Sequence, residues 1–256
     1  AQAIEMYRPV QIVVDVQESR DFNSQTTTFI AADPLDFVAA MLEVVSYNFE
    51  EIPDESQHLP VNIQKWGMLD RQRTEHLLAS GLYEDDSFEG SYVAALLDEI
   101  PSESLLFSAN SMAIRAVDAY YFTRGKRMVV LANRGLNGID GTVSSALGAA
   151  QEYKQTVLLT GDLTLLHDLN ALALQGEMIL REKDGSHRPS ILIVLLNNQG
   201  GAIFDMLPQQ SDDPYFERLF LTPQQVDFCQ AAQAFGVNAV RVQSVEEFRS
   251  AAQNTW

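Results

Sequence analysis

The sequence has a single cysteine, Cys229, so no disulfide can form within the chain. It has no apolar run long enough to cross a bilayer, and its first residues lack the pattern of a secretory signal peptide. The G-x-G-x-x-G fingerprint of nicotinamide- and flavin-binding folds is also absent after the first strand-like segment. These absences favour a cytoplasmic protein without membrane insertion, and they argue against a nicotinamide- or flavin-dependent oxidoreductase.

Basic residues are scarce as well. The chain has 17 lysines and arginines against 35 aspartates and glutamates, which gives a formal net charge of −18. Such a surface repels nucleic acid and anionic membranes, so we expect no nucleic-acid partner. It also repels anionic small molecules. A site for phosphates or carboxylates would therefore need a metal ion or local arginines to offset the negative charge.

Strand-like and helix-like segments alternate regularly from residue 105 onward. This alternation predicts an α/β fold with a doubly wound parallel sheet. The predicted strands are 105–108, 128–132, 156–160, 190–196 and 238–243. The predicted helices are 111–121, 141–151, 163–177, 223–235 and 244–254.

A second, partial α/β domain is predicted at the N-terminus. A strand is expected within 9–16, and Asp33-Pro34 is a strong start for a helix that continues to about residue 47. Residues 50–60 are acidic and weakly periodic, and a polar helix is expected at 64–80. The predicted organisation is therefore a first domain at 1–55, a linker with a helix at 56–85, and the main domain at 86–256.

Two consecutive buried strands end in polar residues suited to a metal ion. Gly161-Asp162 follows the strand 156–160, and Asn198 follows the strand 190–196. Parallel strands joined by a crossover helix place their carboxyl ends at one edge of the sheet, where ligands bind. One carboxylate, one amide oxygen and a carbonyl near Gly200 give three oxygen ligands, and diphosphate and water can complete the roughly six that magnesium prefers. The alternative is two unrelated turns.

Four segments carry a resemblance to a known family: SANSMAIRAVDA (108–119), NRGLNGIDGTVSSALGAA (133–150), LLTGDLTLLHDLNALAL (158–174) and NNQGGAIFDMLP (197–208). They resemble the 2-succinyl-5-enolpyruvyl-6-hydroxy-3-cyclohexene-1-carboxylate (SEPHCHC) synthase family of thiamine diphosphate enzymes. VQIVVDVQESRD (10–21) is similar to the end of that family's middle domain.

The resemblance implies thiamine diphosphate and Mg²⁺, or Mn²⁺, as cofactors. It implies decarboxylation of 2-oxoglutarate and addition of the resulting succinyl carbanion to isochorismate, a step of menaquinone and phylloquinone biosynthesis. It also implies a homodimer or homotetramer, in which the pyrimidine-binding domain of a second subunit supplies a glutamate. We find no such glutamate here and expect this chain alone to be inactive.

The resemblance also implies individual site residues. Those implied in catalysis or substrate binding are Asn110, Ser111, Arg115, Arg134, Phe204 and Leu207. Those implied in cofactor binding are Gly138, Ile139, Gly161, Asp162, Leu163, Thr164, Asn198, Gly200 and Ile203, with Asp162, Asn198 and Gly200 as metal ligands.

By the same resemblance, Arg134 contacts substrate, Ile139 bends the cofactor, and the carbonyl of Gly138 holds its aminopyrimidine. Phe204 and Leu207 form a wall of the substrate pocket. Local interpretations stay open beside these roles, because helix caps, solvated arginines and core packing account for the same residue types.

Two further features of the sequence have a structural interpretation. His167 and Asp168 fall inside the predicted crossover helix, and we interpret them as packed or hydrogen-bonded residues rather than as an acid–base pair. The polar insert 181–188, which includes His187, is predicted to be a surface loop.

Three alternative functions remain: another thiamine enzyme such as an acetolactate synthase or a 2-oxoacid decarboxylase, a nicotinamide or flavin oxidoreductase, and a non-catalytic binding module.

Overall fold

The structure is a computed structural model that describes residues 6, 8–16, 24–48, 61–121, 126–174, 190–211 and 214–255. The chain divides into two compact units, Ala1–Asp70 and Arg71–Trp256. The division falls within the segment 56–85 that was predicted as a linker with a helix. The insert 181–188, with His187, and the acidic segment 50–60 lie outside the described residues.

The first unit contains a two-stranded parallel sheet and a helix. Strand β1 (Ile12–Asp15) pairs with β2 (Thr28–Ala31), with Ile12 opposite Thr28. Helix α1 (Pro34–Asn48) begins where Asp33 Oδ1 accepts a hydrogen bond from the N–H of Leu35 at 2.8 Å. The predicted strand and helix are confirmed, whereas β2 was not predicted.

Helix α2 (Val61–Ala79) crosses the division between the units, and its predicted range was 64–80. The second unit then alternates helices with strands. Its main elements are α3 (Glu89–Glu99), β3 (Ser104–Ser108), α4 (Met112–Tyr120), β4 (Met128–Leu131), α5 (Thr142–Ala149), β5 (Gln155–Gly161), α6 (Asp162–His167), β6 (Ser190–Leu196), α7 (Phe228–Ala234) and α8 (Val245–Gln253).

The four strands that the structure describes in the second unit form one parallel sheet in the order β4-β3-β5-β6. Apolar side chains alternate between its two faces, so that Leu106 and Val157 pack with α3, α4 and α8. Phe107 and Leu158 pack on the other face with α5 and α6. Helices therefore cover both faces, and the predicted doubly wound α/β fold is confirmed. The strand order reverses between β3 and β5, which is where such sheets bind ligands at their carboxyl ends.

One predicted strand, 238–243, is wrong. These residues form no ladder with a described strand. Val242 packs against the core on the face of α3 and α8, whereas Val240 is exposed. Val240 and Val242 alternate with polar residues in the sequence, but only Val242 packs inward, and the segment does not join the described sheet.

Two predicted helices are much shorter in the structure than predicted. The helix predicted at 163–177 ends at His167 and is followed by a 3-10 turn at Leu169–Leu174, because Asp168 turns inward to bond Ser144. The helix predicted at 223–235 begins only at Phe228. There Asp227 accepts hydrogen bonds from the N–H groups of the first turn and fixes the start of the helix.

Candidate cofactor and metal site

Asp162 lies where strand β5 ends and helix α6 begins, and it is almost fully buried at 2% exposure. Its Oδ1 accepts a hydrogen bond from the N–H of Leu163 at 2.6 Å, and its Oδ2 accepts one from the N–H of Gly200 at 2.8 Å. In the sheet register, Gly161 is opposite Leu196, the last residue of β6. The fold therefore brings the Asp162 carboxylate to the turn that follows β6, as the strand pattern predicts.

The charge of this carboxylate is poorly compensated by its surroundings. Burial raises the pKa of Asp162, and hydrogen bonds from backbone N–H groups, those of Leu163 and Gly200 among them, only partly oppose this effect. A buried carboxylate bonded to neutral donors favours a cation at its remaining lone pairs. Magnesium prefers such oxygen ligands, so the donor chemistry at Asp162 fits a divalent metal.

The turn after β6 packs tightly against a later segment. The N–H of Gly201 donates to the carbonyl of Leu221 at 2.7 Å, and a Cβ atom added at Gly200 would overlap that same oxygen. Gly200 therefore has to be glycine for the backbone to approach both Leu221 and Asp162. Asn198 lies in this turn with an exposed side chain, accessible to a ligand.

The structure places the three predicted metal ligands as follows. Asp162 and the backbone of Gly200 meet directly, and Asn198 is two residues from Gly200. The observed contribution of Gly200 is its N–H, while the role of its carbonyl as a ligand stays a prediction. No group of three or more His, Cys, Asp or Glu suited to a metal occurs in the described residues. The predicted set is compatible with this finding, because it contains only one carboxylate.

Ile203, Phe204 and Leu207 follow the same turn. Ile203 and Phe204 are half-buried in a 3-10 helix, Ala202–Met206, and Leu207 is 39% exposed just after it. The ring of Phe204 packs edge-on against Phe220, with centroids 5.8 Å apart. Phe204 is thus held in place by its contact with Phe220, whereas Leu207 exposes an apolar surface.

A second polar cluster lies at the carboxyl ends of β3 and β4. Asn110 is 3% exposed, and its Nδ2 donates to the carbonyls of Asn133 at 2.8 Å and Gly138 at 2.6 Å. Its Oδ1 accepts a hydrogen bond from Arg134 Nη1 at 2.8 Å. The structure thus joins three residues that the sequence singled out, Asn110, Arg134 and Gly138. It does so through a buried amide that spacing alone did not predict.

Ser111 and Arg115 are also in contact, through the backbone. Arg115 Nη1 donates to the carbonyl of Ser111 at 2.7 Å, and Arg115 is exposed. Ser111 has a φ of 63°, and its side chain does not cap helix α4. The helix-cap interpretation is therefore wrong for Ser111, and its hydroxyl is not used at the helix start.

The turn before α5 is anchored from the crossover segment. The half-buried Ile139 accepts a hydrogen bond at its carbonyl from Thr142 Oγ1, at 3.0 Å. Asp168 accepts hydrogen bonds from the N–H of Ser144 at 2.7 Å and from its Oγ at 3.1 Å, while His167 Nε2 lies 3.1 Å from Asp140 Oδ1. Asp168 is thus hydrogen-bonded, as predicted, whereas His167 lies at ion-pair distance from the exposed Asp140. The sequence analysis did not predict these partners. One signal was available: Gly141, at the N-cap of α5, has no side chain, so an acceptor for the first N–H groups of the helix has to come from another segment.

The two clusters share one edge of the sheet. The N–H of Ala109 donates to the carbonyl of Leu159 at 2.8 Å, which ties the end of β3 to β5. Asn110 follows directly after this link, and Asp162 lies three residues beyond Leu159. Leu163 is half-buried and Thr164 is buried in the first turn of α6. The edge thus presents a buried carboxylate and, on the neighbouring strand, a buried amide with an exposed arginine.

Residues 111–255 match the family described as "Thiamine pyrophosphate enzyme, C-terminal TPP binding domain". The chain belongs to this family, which confirms the predicted fold and the expectation of thiamine diphosphate as cofactor.

Its curated relatives are more specific. Over 242 residues it is 38% identical to the 2-succinyl-5-enolpyruvyl-6-hydroxy-3-cyclohexene-1-carboxylate synthase of Oceanobacillus iheyensis, an alignment that covers 94% of this chain and 39% of the relative. The synthase of the same name from Desulfitobacterium hafniense is 54% identical over 145 residues, covering 57% of this chain and 24% of that protein. The one from Bacillus cytotoxicus is 36% identical over 245 residues, covering 95% and 39%. The resemblance seen in the sequence is confirmed, and the chain spans about two fifths of the Oceanobacillus and Bacillus relatives.

In the part of the chain that the structure describes, no helix is long and apolar enough to span a membrane.

Proposed function

We propose that this chain supplies the diphosphate- and metal-binding half of a SEPHCHC synthase site. The proposed reaction is the Mg²⁺-dependent decarboxylation of 2-oxoglutarate and addition of the resulting succinyl group to isochorismate. Membership of the thiamine pyrophosphate family and the names of the relatives support this proposal. Thiamine diphosphate, when bound, supplies the carbanion chemistry, and the protein binds, orients and compensates charge.

The observation that carries the proposal is the contact between Asp162 and Gly200. It places a buried carboxylate at the edge where β5 and β6 end, next to a turn whose glycines allow close backbone approach. Asp162, Asn198 and the carbonyl of Gly200 would hold the metal, and the metal would bind the diphosphate. Leu163 and Thr164 lie in the same turn as Asp162 and would contact the diphosphate.

The substrates are anionic, and the chain as a whole carries a net charge of −18. Arg134, which follows β4, and Arg115, near the start of α4, are exposed and can offset the charge of substrate carboxylates. Ser111 lies beside Arg115 and would hydrogen-bond substrate. Phe204 and Leu207 would form an apolar wall, with Ile203 and Ile139 against the cofactor.

The proposed partner is the pyrimidine-binding domain of a second subunit, in a cytoplasmic homodimer or homotetramer. That domain would bring the glutamate that acts on the aminopyrimidine, so the chain alone would be inactive. Turnover by the purified 256-residue chain without a partner domain would contradict this part of the proposal.

The binding of thiamine diphosphate tests the site directly. We expect the wild-type chain to bind thiamine diphosphate in a Mg²⁺-dependent manner in calorimetric titrations. The variant Asp162→Ala should lose more than about 100-fold in affinity, beyond what the loss of an outer-shell partner costs. Binding that is independent of Mg²⁺ and unchanged in Asp162→Ala would sink the proposal. If binding depends on Mg²⁺ as expected, product analysis with a pyrimidine-binding domain, 2-oxoglutarate and isochorismate would distinguish this reaction from that of another thiamine enzyme.

A further inference from the structure

Asn110 uses nearly all of its hydrogen-bonding capacity inside the protein. Its two N–H donors are directed at the carbonyls of Asn133 and Gly138, and its oxygen accepts from Arg134. The reverse orientation of the amide would place its oxygen against two carbonyls and its NH₂ group against a guanidinium, so this geometry admits one orientation only. At 3% exposure, the side chain cannot donate to a ligand without giving up one of these bonds.

The turn that Asn110 holds has little other support at its centre. Gly135, Leu136 and Gly138 are exposed, and a Cβ atom added at Gly138 would meet no heavy atom closer than 4.0 Å. Packing therefore does not fix the carbonyl of Gly138. The ends of the turn are tied elsewhere, since Asn133 Nδ2 donates to Ser145 Oγ at 3.2 Å and Thr142 Oγ1 donates to the carbonyl of Ile139 at 3.0 Å.

The same amide sets the position of an arginine. Arg134 is exposed, and a long exposed side chain samples many rotamers unless a partner holds it. The hydrogen bond from its Nη1 to Asn110 leaves the other nitrogens of the guanidinium available to a carboxylate. The carbonyl of Gly138 likewise has a second lone pair for an N–H donor of a ligand.

We infer that Asn110 is a positioning residue, which fixes the Gly138 carbonyl and the Arg134 guanidinium relative to each other and does not itself touch substrate. The inference rests on the proposed function, because only a bound cofactor and substrate would use the Gly138 carbonyl and the Arg134 guanidinium together. A buried amide with three hydrogen bonds stabilises one arrangement of the surrounding groups. Asn110 would thus act on cofactor and substrate only through its neighbours.

The variant Asn110→Asp separates the two sides of this arrangement. It keeps the size of the side chain and the acceptor for Arg134, but it removes both donors and places a carboxylate beside two carbonyl oxygens. Asn137→Asp is a matched control, because Asn137 is exposed in the same turn and its φ of 57° suits either residue.

Hydrogen exchange of the cofactor-free chain gives the first measurement. Without the two bonds from Asn110, we expect amides within 133–141 to exchange about tenfold faster in Asn110→Asp, while β3 and β5 keep their wild-type rates. Asn137→Asp should match the wild type. Should Asn110→Asp fail to fold, the smaller and uncharged Asn110→Ser allows the same comparison.

Binding gives the second measurement. On the proposed function, magnesium pyrophosphate would contact only the Asp162 side of the site, whereas magnesium thiamine diphosphate would also reach the Gly138 turn. In Asn110→Asp we expect the Kd of thiamine diphosphate to rise by about tenfold, while that of pyrophosphate changes by less than about twofold. A general loss of structure would weaken both ligands equally.

Two results would overturn the inference. One is equal exchange within 133–141 for the wild type, Asn110→Asp and Asn137→Asp. The other is an equal loss of affinity for both ligands. If the wild type binds neither ligand, the proposed function fails, and the exchange comparison still decides whether Asn110 holds the turn.

Discussion

The N–H of Gly200 donates to Oδ2 of Asp162 at 2.8 Å and so joins two turns that lie 38 positions apart in the chain. The bond requires β5 and β6 to be adjacent and parallel, with Gly161 opposite Leu196. It also requires residue 200 to lack a side chain, because Leu221 occupies the space on its other side. The contact therefore links the sheet register to the geometry of the proposed metal site.

The first prediction concerns the metal. Magnesium thiamine diphosphate should raise the Tm of the wild-type chain, because a ligand that binds only the folded state stabilises it. Asp162→Asn should abolish the Mg²⁺-dependent part of this increase, since an amide oxygen replaces a carboxylate. Differential scanning fluorimetry with and without Mg²⁺ is the measurement. Asp205→Asn is the control, as Asp205 is exposed and bonds Gln210; an equal loss in both variants would contradict a specific role of Asp162.

The second prediction concerns the glycine turn. Gly200→Ala should lower the free energy of unfolding by about 1–3 kcal/mol, because its Cβ overlaps the carbonyl of Leu221. Gly148→Ala should raise the free energy of unfolding by about 0.5–1 kcal/mol, since Gly148 lies in helix α5 with open space around it. Urea denaturation of both variants measures these opposite changes in the free energy of unfolding. Equal stability of Gly200→Ala and the wild type would show that the turn can shift freely.

The third prediction concerns the start of helix α5. Asp168→Ala should cost about 2–3 kcal/mol of unfolding free energy, because it leaves the N–H of Ser144 without its charged acceptor. Ser144→Ala should cost only about 1 kcal/mol, because it removes the hydroxyl bond and keeps the backbone bond. Chemical denaturation gives both values. A larger effect for Ser144→Ala would mean that the backbone contact contributes little.

The fourth prediction concerns acid stability. Burial raises the pKa of Glu99, but hydrogen bonds from Gln253 and Arg249, together with the charges of Arg249 and Lys126, outweigh it, and the net shift is downward. A carboxylate whose pKa is lower in the folded state stabilises the fold above its unfolded pKa, and this stability is lost as the pH falls through the folded value. The free energy of unfolding should therefore decrease as the pH drops below about 4.3, the ordinary value for glutamate.

Glu99→Gln should flatten that pH dependence. It should also cost about 1 kcal/mol at pH 7, because Arg249, at 2.8 Å from Glu99 and half-exposed, loses a charged partner. Urea denaturation between pH 3 and 7 is the measurement. Glu103→Gln removes the solvent-exposed pair with Arg127 and should leave stability unchanged. A steep loss of stability at acid pH that persists in Glu99→Gln would show that other carboxylates cause it.

The sheet could be predicted because its strands are short, mainly apolar runs, of which β3 and β5 are largely buried whereas most of β4 is exposed. The run Thr156–Thr160 is fully buried, and β6 has the predicted bounds. The strand predicted at 238–243 failed because alternation reports only that one side of a segment is buried. Val242 meets that condition against helices rather than within a sheet.

The site could be predicted in part for a different reason. The location of Asp162 follows from strand order, which the sequence pattern constrains. The bonds of Asn110 and Asp168 do not follow from any pattern, because each joins segments that are more than twenty positions apart. Asp168 ended a helix that local periodicity predicted to continue, since a tertiary hydrogen bond competed with the helical one.

The order β4-β3-β5-β6 also bears on how the chain folds as it leaves the ribosome. Leu105 in the central strand β3 lies opposite Val129 in β4 and Thr156 in β5. A nascent chain that ends at Ala150 contains β4 but not β5. One apolar edge of β3 therefore stays unpaired until Gln155–Gly161 is synthesised. The half-synthesised domain is therefore the stage at which chaperones, or aggregation, compete with correct pairing.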